Sequence, residues 1–240
     1  LFFKPITKKI ITFKNIESAE MAKLVDNAYR DNIFAFSNQI ALIGDGYNLD
    51  SLDIIKKCNL NYKRNNIPSP SPGVGGACLT KDPYILSYSA QKNKTNSNLI
   101  LESRLTNVRI LNNLCNKIVS NIKDINKPSL LICGIAFKGY PETNDIRFST
   151  TLDLIDIISS KKNDIEFYLY DPVLTKKEIL LLGYKYMHIS KINSKINGLI
   201  LCNNHKSFIN INIDKINKLM RKPKLICDSW GLLKEKMNNI

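Results

Sequence analysis

Ser129-Leu130-Leu131-Ile132-Cys133-Gly134-Ile135-Ala136 is the stretch that decides the fold of this chain. It is a nearly continuous apolar run, and a glycine stands close to its end. A strand with one face in water alternates apolar and polar residues, whereas a strand buried on both faces does not. The run therefore predicts the first strand of a parallel sheet.

Strand and helix patterns alternate after this run. We expect helices over 149–159, 174–182 and 211–220, and strands over 165–170, 197–202 and 224–228. Such alternation predicts βαβ units and a parallel sheet, whose ligand crevice lies at the carboxyl ends of the strands. The loop that follows Ala136 is therefore the expected ligand site.

The residues before the run are mainly helical in pattern. Apolar residues recur at helical spacing between Glu17 and Leu49, which predicts one long helix or two in line, with Asn15 or Ser18 as N-cap. The apolar series comprises Met21, Leu24, Val25, Ala28, Ile33, Phe36, Ile40 and Ile43. Further helices are expected over 50–57, 82–91 and 98–122, a loop over 59–72, and a short strand over 9–13. The fold class is therefore α/β.

Composition narrows the functional classes. The 240 residues carry a formal charge of +14, which suits a nucleic acid or a small polyanion. The lysines are spread along the chain without a run of five or six like charges, so we expect no nucleic-acid partner. No apolar run reaches the ~18–20 residues that span a bilayer, and no signal peptide is recognisable. The expectation is a cytoplasmic protein without a membrane partner.

Cysteine and histidine spacing argues against metal and disulfide frameworks. The six cysteines form no C-x-x-C pair, and His188 and His205 have no ligand spacing. We expect free thiols and no metal.

A glycine-rich stretch carries the chemistry: Pro70-Ser71-Pro72-Gly73-Val74-Gly75-Gly76-Ala77-Cys78-Leu79-Thr80-Lys81-Asp82-Pro83. Glycines let the backbone approach a ligand closely, and the Lys-Asp pair supplies charge that tunes a thiolate. The stretch predicts a loop for covalent catalysis with Cys78 as nucleophile. The other cysteines are interpreted as inert buried residues: Cys58, Cys115, Cys133, Cys202 and Cys227.

The loop from Phe137 to Ser149 is the second candidate site. Lys138 and Arg147 lie at a strand end beside a helix N-terminus, which suits a phosphate, and Phe137 offers a face for a base or sugar. The alternative is a solvated loop in which Asp145 caps the helix or pairs with Arg147. Spacing alone leaves both open.

Three motifs together carry a resemblance. They are the series 18–27 (Ser-Ala-Glu-Met-Ala-Lys-Leu-Val-Asp-Asn), the stretch 73–82 around Cys78, and Gly134-Ile-Ala-Phe-Lys138 with Asn144-Asp-Ile-Arg147. In this order they resemble the UDP-glucose/GDP-mannose (nucleotide-sugar 6-) dehydrogenase family, closest to its UDP-N-acetylmannosamine branch.

The resemblance implies a domain organisation. Residues 1–16 would be the tail of an NAD-binding domain lying upstream of Leu1, 17–126 a helical dimerisation and catalytic domain, and 127–240 a Rossmann-like UDP-binding domain. The sequence has no G-x-G-x-x-G fingerprint. We therefore expect NAD as cofactor, but no turnover of NAD by these residues alone.

The resemblance also implies roles for individual residues. Cys78 matches the nucleophile that carries the substrate as a thiohemiacetal and then a thioester, Lys23 and Asn27 the pair that steadies the oxyanion, and Asp82 the carboxylate that acts on water. Lys81 and Arg147 match residues near the cofactor. Substrate contacts are implied for Arg64, Ser69, Gly73, Gly75, Phe137 and Lys138. Arg64 would reach a neighbour's site, which implies a homodimer through the helix from Glu17.

The substrate ranking follows from two local features. Trp230 stands where UDP-glucose enzymes of the family carry an arginine, and the loop from Pro68 resembles the N-acetylhexosamine branch. UDP-N-acetylmannosamine is the first expectation, UDP-N-acetylglucosamine the second and UDP-glucose the third. The alternative from another class is a catalytically inactive, UDP-sugar-binding dimeric module.

Overall fold

The first half of the chain is helical, as expected. A computed structural model describes residues 3–237. Its first four helices are α1 (Ile16–Gly46), α2 (Ser51–Asn59), α3 (Asp82–Lys92) and α4 (Asn98–Ile122). Asn15 caps α1 by accepting a hydrogen bond from the Ser18 amide, which decides between the two N-caps that the sequence left open. The long helix is thus continuous.

The buried face of α1 differs from the expected one. The buried positions of α1 are Asn27, Ala28, Asp31, Ala35, Ser37, Asn38 and Gly44. Several members of the apolar series are instead exposed, among them Val25, Phe36 and Ile43. The periodicity correctly indicated a helix, but α1 turns a mostly small and polar face towards α3 and α4.

The strand expected over residues 9–13 is wrong. These residues form no strand and are exposed. An extended β-prone segment becomes a strand only when another strand pairs with it, and all five strands of the described sheet lie after residue 128.

The second half forms a parallel sheet in the order β3-β2-β1-β4-β5. The strands are β1 (Ser129–Cys133), β2 (Glu166–Tyr170), β3 (Lys185–Tyr186), β4 (Gly198–Leu201) and β5 (Leu225–Asp228). The helices are α5 (Thr150–Lys161), α6 (Lys176–Leu181), α7 (Ile213–Leu219) and α8 (Lys234–Met237), with 3-10 turns at Ile189–Lys191 and Lys206–Asn210. The two-residue β3 and the 3-10 turns lacked a sequence signal because they are so short.

β1 lies at the centre of the sheet, and all five of its residues are buried. Leu130 and Ile132 point into one core with α4 and α5, whereas Leu131 and Cys133 point into a second core with α7. The second half of α4 packs into the first of these cores. Because α4 also packs on α1, it joins the helices to the sheet.

The topology places a crevice between β1 and β4. The chain leaves β1 towards β2 and β3, and leaves β4 towards β5, so the strand order reverses between these neighbours. In open α/β sheets, ligands bind at this reversal, outside the carboxyl ends of the strands. Within residues 3–237 no helix combines the length and the apolar character needed to cross a membrane.

Candidate active site

A cavity of about 630 Å³ opens at the carboxyl ends of β1 and β4. Its walls come from α1, from the glycine-rich stretch, from the loop after β1 and from the loops after β4 and β5. Cavities of this volume accommodate nucleotide-sized ligands. The fold therefore brings the two loops singled out from the sequence to one site.

The glycine-rich stretch docks directly on the loop after β1. The Gly76 amide donates a hydrogen bond to the Phe148 carbonyl oxygen over 2.9 Å. Gly76 has φ +91°, and a Cβ there would lie 2.8 Å from the Phe137 ring, while a Cβ on Gly75 would lie 2.4 Å from the Phe148 oxygen. Glycine is therefore required by close approach at both positions.

Cys78 lies in the cavity wall with an exposed side chain. Its carbonyl oxygen accepts a hydrogen bond from the Asp82 amide at the start of α3. Three of the cysteines interpreted as inert are buried, and burial raises the pKa of the Cys115 thiol to about 12 and the pKa values of Cys133 and Cys202 well above the usual range.

The remaining two cysteines, Cys58 and Cys227, differ in exposure. Cys227 is half-buried, and burial raises its pKa to about 12, which agrees with an inert thiol. The expectation that Cys58 is buried is wrong, because Cys58 lies exposed near the end of α2. It is outside the cavity walls. Cys78 is thus the exposed cysteine that the fold brings to the cavity.

A polar cluster lies one turn from Cys78. Lys23 Nζ donates to Asn27 Oδ1 over 3.4 Å, and Asn27 Nδ2 donates to Asp82 Oδ2 over 2.5 Å. The ammonium of Lys81 pairs with the other oxygen of Asp82 at 2.5 Å. The structure thus brings together Lys23, Asn27 and Asp82, although none of the three lines the cavity itself.

Asp82 is ionised in this cluster. Its burial raises the pKa, but the hydrogen bonds from Lys81 and Asn27 outweigh that effect, together with the charges of Lys81 and Lys23. The pKa of Asp82 therefore lies below its usual range. A carboxylate of this kind accepts hydrogen bonds strongly and takes up protons poorly.

The backbone of the loop after β1 is fixed by polar contacts from neighbouring loops. Asn204 Oδ1 accepts hydrogen bonds from the amides of Gly139 and Tyr140, each over 3.0 Å. Asp171 Oδ2 accepts from the amides of Ile135 and Ala136. The backbone that carries Phe137 and Lys138 is therefore fixed before any ligand arrives.

One of the cations that line the cavity is already neutralised. Arg147 binds Asp145 through both Nε and Nη2, which holds the pKa of Asp145 at about 2. The alternative of an exposed Asp145–Arg147 pair is therefore what the structure contains, although Arg147 still lines the cavity. Within the described chain, Lys138 has no carboxylate partner, so its charge faces the cavity uncompensated.

Ser69, Gly73, Gly75, Phe137 and Lys138 line the cavity. Arg64 is exposed and outside the walls. Arg30, which none of the sequence motifs indicated, lines the cavity from α1 and has no carboxylate partner among the described residues. Helical spacing could have found it, because Arg30 follows Lys23 by seven positions and Asn27 by three.

The fold and the cavity define an α/β protein with a nucleotide-sized crevice and an exposed cysteine in its wall. Comparison with known families agrees with this class. Residues 17–109 match the central domain of the UDP-glucose/GDP-mannose dehydrogenase family, and residues 131–235 match the UDP binding domain of the same family. The chain belongs to the UDP-glucose/GDP-mannose dehydrogenase family, whose members are nucleotide-sugar dehydrogenases.

Individual relatives carry the same family character. A UDP-N-acetyl-D-mannosamine dehydrogenase of Methanococcus vannielii is 33% identical over 96% of this chain and 52% of its own length. One of Pyrococcus horikoshii is 30% identical over 97% of this chain and 53% of its own.

A solved structure extends the comparison to three dimensions. The structure of UDP-D-ManNAc dehydrogenase from Pyrococcus horikoshii superimposes with a TM-score of 0.80 at 27% identity, over 97% of this chain and 53% of that one. The chain spans about half the length of the curated relatives it matches.

Proposed function

We propose that this chain supplies the substrate pocket and the nucleophile of an NAD-dependent UDP-sugar 6-dehydrogenase. The reaction is the four-electron oxidation of a C6 alcohol to a carboxylate through a thioester on Cys78. The observation that carries the proposal is the position of Cys78, exposed in the same cavity that Phe137 and Lys138 line at the end of β1. Relatives named UDP-N-acetyl-D-mannosamine dehydrogenase support UDP-N-acetylmannosamine as substrate.

The charges of the cavity suit a nucleoside diphosphate. Lys138 and Arg30 line it without carboxylate partners in the described chain, whereas Arg147 is compensated by Asp145. A diphosphate that enters gains from the two uncompensated cations, because neither has to leave a carboxylate partner first. The half-buried Phe137 provides the apolar surface for the base or sugar.

The chain's own residues act on the C6 carbon as follows. When the substrate is at the aldehyde level, the Cys78 thiolate forms a bond to C6, and the carbonyl electron pair moves onto oxygen. Lys23 and Asn27 stabilise that oxyanion, since they share one face of α1 and the Lys23 ammonium has donors beyond the one used by Asn27. The sulfur leaves as a thiolate when water attacks the later thioester.

Asp82 orients the attacking water in this proposal. Because Lys81 and Asn27 hold the pKa of Asp82 low, its carboxylate is a good hydrogen-bond acceptor and a weak proton acceptor near neutral pH. The lowered pKa therefore favours positioning of the water over full removal of its proton.

NAD, when bound, supplies the hydride acceptor for the two oxidations. The hydrogen bond to Asp82 raises the pKa of Lys81, and the hydrogen bonds to Asp145 raise the pKa of Arg147, so both side chains stay charged. Resemblance to the family supports a position for both near the cofactor. No G-x-G-x-x-G turn occurs in the sequence. We therefore assign to Lys81 and Arg147 only contacts at the reacting end of NAD. We assign binding of the rest of the dinucleotide to a part of the dehydrogenase outside these residues.

Dimerisation is part of the proposal. The apolar residues that α1 leaves exposed form a stripe that a second copy would cover, with Arg64 exposed for contact with that copy. In the same terms, we propose residues 17–126 as the helical domain and 127–240 as the nucleotide-binding domain.

Calorimetric titration of this chain with UDP tests the proposal. We expect saturable binding that Lys138→Met weakens about tenfold, equivalent to about 1.4 kcal/mol. Lys176→Met is the matched control, since Lys176 is exposed at the start of α6, outside the cavity walls. Equal weakening by both variants, or binding that nucleic acid displaces with a steep salt dependence, would contradict the proposal.

The same titration ranks the sugars. We expect UDP-N-acetylmannosamine to bind more tightly than UDP-N-acetylglucosamine, and UDP-glucose to bind least tightly. A chain that prefers UDP-glucose would overturn the ranking while leaving the nucleotide site in place.

A further inference from the structure

A buried polar network joins α1 and α4 beneath the loop that carries Cys78. Asp31 and Asn38 lie on α1, and Arg104 and Asn107 lie on α4, each at most 4% exposed. Buried charged and amide groups are costly unless they are hydrogen-bonded, so a network of four in one helix interface needs a reason.

Arg104 holds both ends of the segment around Cys78. Its Nη1 donates to the Leu79 carbonyl oxygen over 2.9 Å, and Nη1 and Nη2 both reach the Val74 carbonyl oxygen at 3.3 Å. The guanidinium therefore bridges two carbonyl groups that flank the cysteine in sequence. A planar fork can do this, whereas a single ammonium group cannot hold the same fixed geometry.

Asp31 and Asn107 orient the guanidinium. Asp31 Oδ1 lies 3.2 Å from Arg104 Nη1 and accepts a hydrogen bond from Asn107 Nδ2 over 2.8 Å. The other oxygen, Asp31 Oδ2, accepts no hydrogen bond from the described residues. The carboxylate is thus only half satisfied, which argues that it is present to position Arg104, since a buried pair of this kind adds little net stability.

The network continues to the start of the loop. Asn38 Nδ2 donates to Asn107 Oδ1 over 2.9 Å, and Asn38 Oδ1 accepts from the Ser71 amide over 2.8 Å. The loop is therefore fixed from the helix side at Ser71, Val74 and Leu79, while Gly76 is held from the opposite side by Phe148.

We propose that Arg104 is a positioning residue for the Cys78 thiol, and that Asp31 and Asn107 set its geometry. The inference rests on the proposed function, in which Cys78 attacks C6. It follows that catalysis at sulfur and binding of the nucleotide depend on different residues. Arg104 governs the reaction at sulfur, whereas the nucleotide is held by Lys138 and its neighbours, outside the network.

Amide hydrogen exchange and kinetics of Arg104→Met test this inference. We expect the amides of residues 74–79 to exchange at least tenfold faster, with α3 and β1 unchanged. In the complete dehydrogenase, kcat should fall at least tenfold and the KM for the UDP-sugar should change less than threefold. Arg109→Met is the control, because Arg109 lies on α4 but is exposed and pairs with Glu102.

Arg104→Lys keeps the test decisive if Arg104→Met does not fold. Lysine retains the charge opposite Asp31 but lacks the planar fork that holds both carbonyl groups in one fixed geometry, so faster exchange confined to 74–79 and a lower kcat are still expected. Wild-type behaviour of Arg104→Lys in both measurements, or faster exchange spread evenly over α1 and α4, would overturn the inference.

The two proposals fail separately. If the wild-type chain binds no UDP and Cys78 reacts with iodoacetamide no faster than Cys58, the proposed function fails. If the amides of residues 74–79 in Arg104→Met still exchange faster in that case, Arg104 supports the loop but has no role at sulfur. The proposal that it positions a nucleophile is then overturned.

Discussion

The side-chain amide of Asn27 donates a hydrogen bond to the carboxylate of Asp82 over 2.5 Å and so connects α1 to the start of α3. Asp82 lies one helical turn after Cys78, and its backbone N–H donates a hydrogen bond to the Cys78 carbonyl oxygen. Through this contact, residues far apart in sequence form one polar cluster next to the exposed thiol.

Replacement of the nucleophile gives the clearest chemical prediction. In the complete dehydrogenase, Cys78→Ser should lower the rate of NADH formation by at least a thousandfold, because a serine hydroxyl without an adjacent base is a poor nucleophile. Absorbance at the NADH band measures the rate. Cys58→Ser, a change at the other exposed cysteine, should leave the rate unchanged. Near-normal turnover of Cys78→Ser would exclude covalent catalysis.

Docking of the glycine-rich loop predicts a loss of stability in Gly75→Ala. The added Cβ would lie 2.4 Å from the Phe148 carbonyl oxygen, a backbone atom that cannot turn aside. We expect a loss of about 1–3 kcal/mol in the free energy of unfolding, measured by urea denaturation. Gly46→Ala is the matched change, since nothing lies within 4 Å of its added Cβ, and it should be neutral or slightly stabilising. Equal stabilities of the two variants would contradict the docked geometry.

The buried Asp31 predicts an unusual pH dependence of stability. Burial raises its pKa to about 6, against the opposing effects of Arg104 and Asn107. The folded state therefore binds the Asp31 proton more tightly than the unfolded state does. The contribution of Asp31 to the free energy of unfolding then falls as pH rises from about 4 to about 6. The difference between wild type and Asp31→Asn should change by about 3 kcal/mol across this window.

Urea denaturation at pH 4, 5, 6 and 7 measures that difference. Asp53→Asn serves as the control, because Asp53 pairs with Lys57 at the surface of α2, outside the buried network. A flat difference for Asp31→Asn would show that Arg104 keeps Asp31 ionised throughout.

The exposed apolar stripe of α1 predicts self-association. Val25, Tyr29, Phe36 and Ile43 are each about half exposed or more and share helical spacing. Light scattering after gel filtration should show a dimer for the wild type and a monomer for Phe36→Glu, because a buried charge opposes the contact. Leu181→Glu, at an exposed position of α6, should stay dimeric. A dimer that survives Phe36→Glu would place the interface elsewhere.

Local sequence patterns predicted much of the fold. The helix over 98–122 has the expected bounds, and the run from Ser129 begins the central strand. Both follow from short-range rules, namely apolar periodicity and continuous burial. The expected strand over 9–13 was wrong for the complementary reason, because strand formation depends on a distant partner.

The sequence alone determined the class of the protein, the order of its longer helices and strands, and the candidate residues for its proposed chemistry, since each of these depends on neighbours in the chain. Tertiary structure decided which face of α1 is buried, that Arg30 enters the cavity, and that Arg104 grips the carbonyl groups around Cys78. These contacts join α1, α4 and the glycine-rich loop across long separations in sequence. Only the packing of the helices and the sheet brings their atoms within hydrogen-bonding distance, and no local pattern records that proximity.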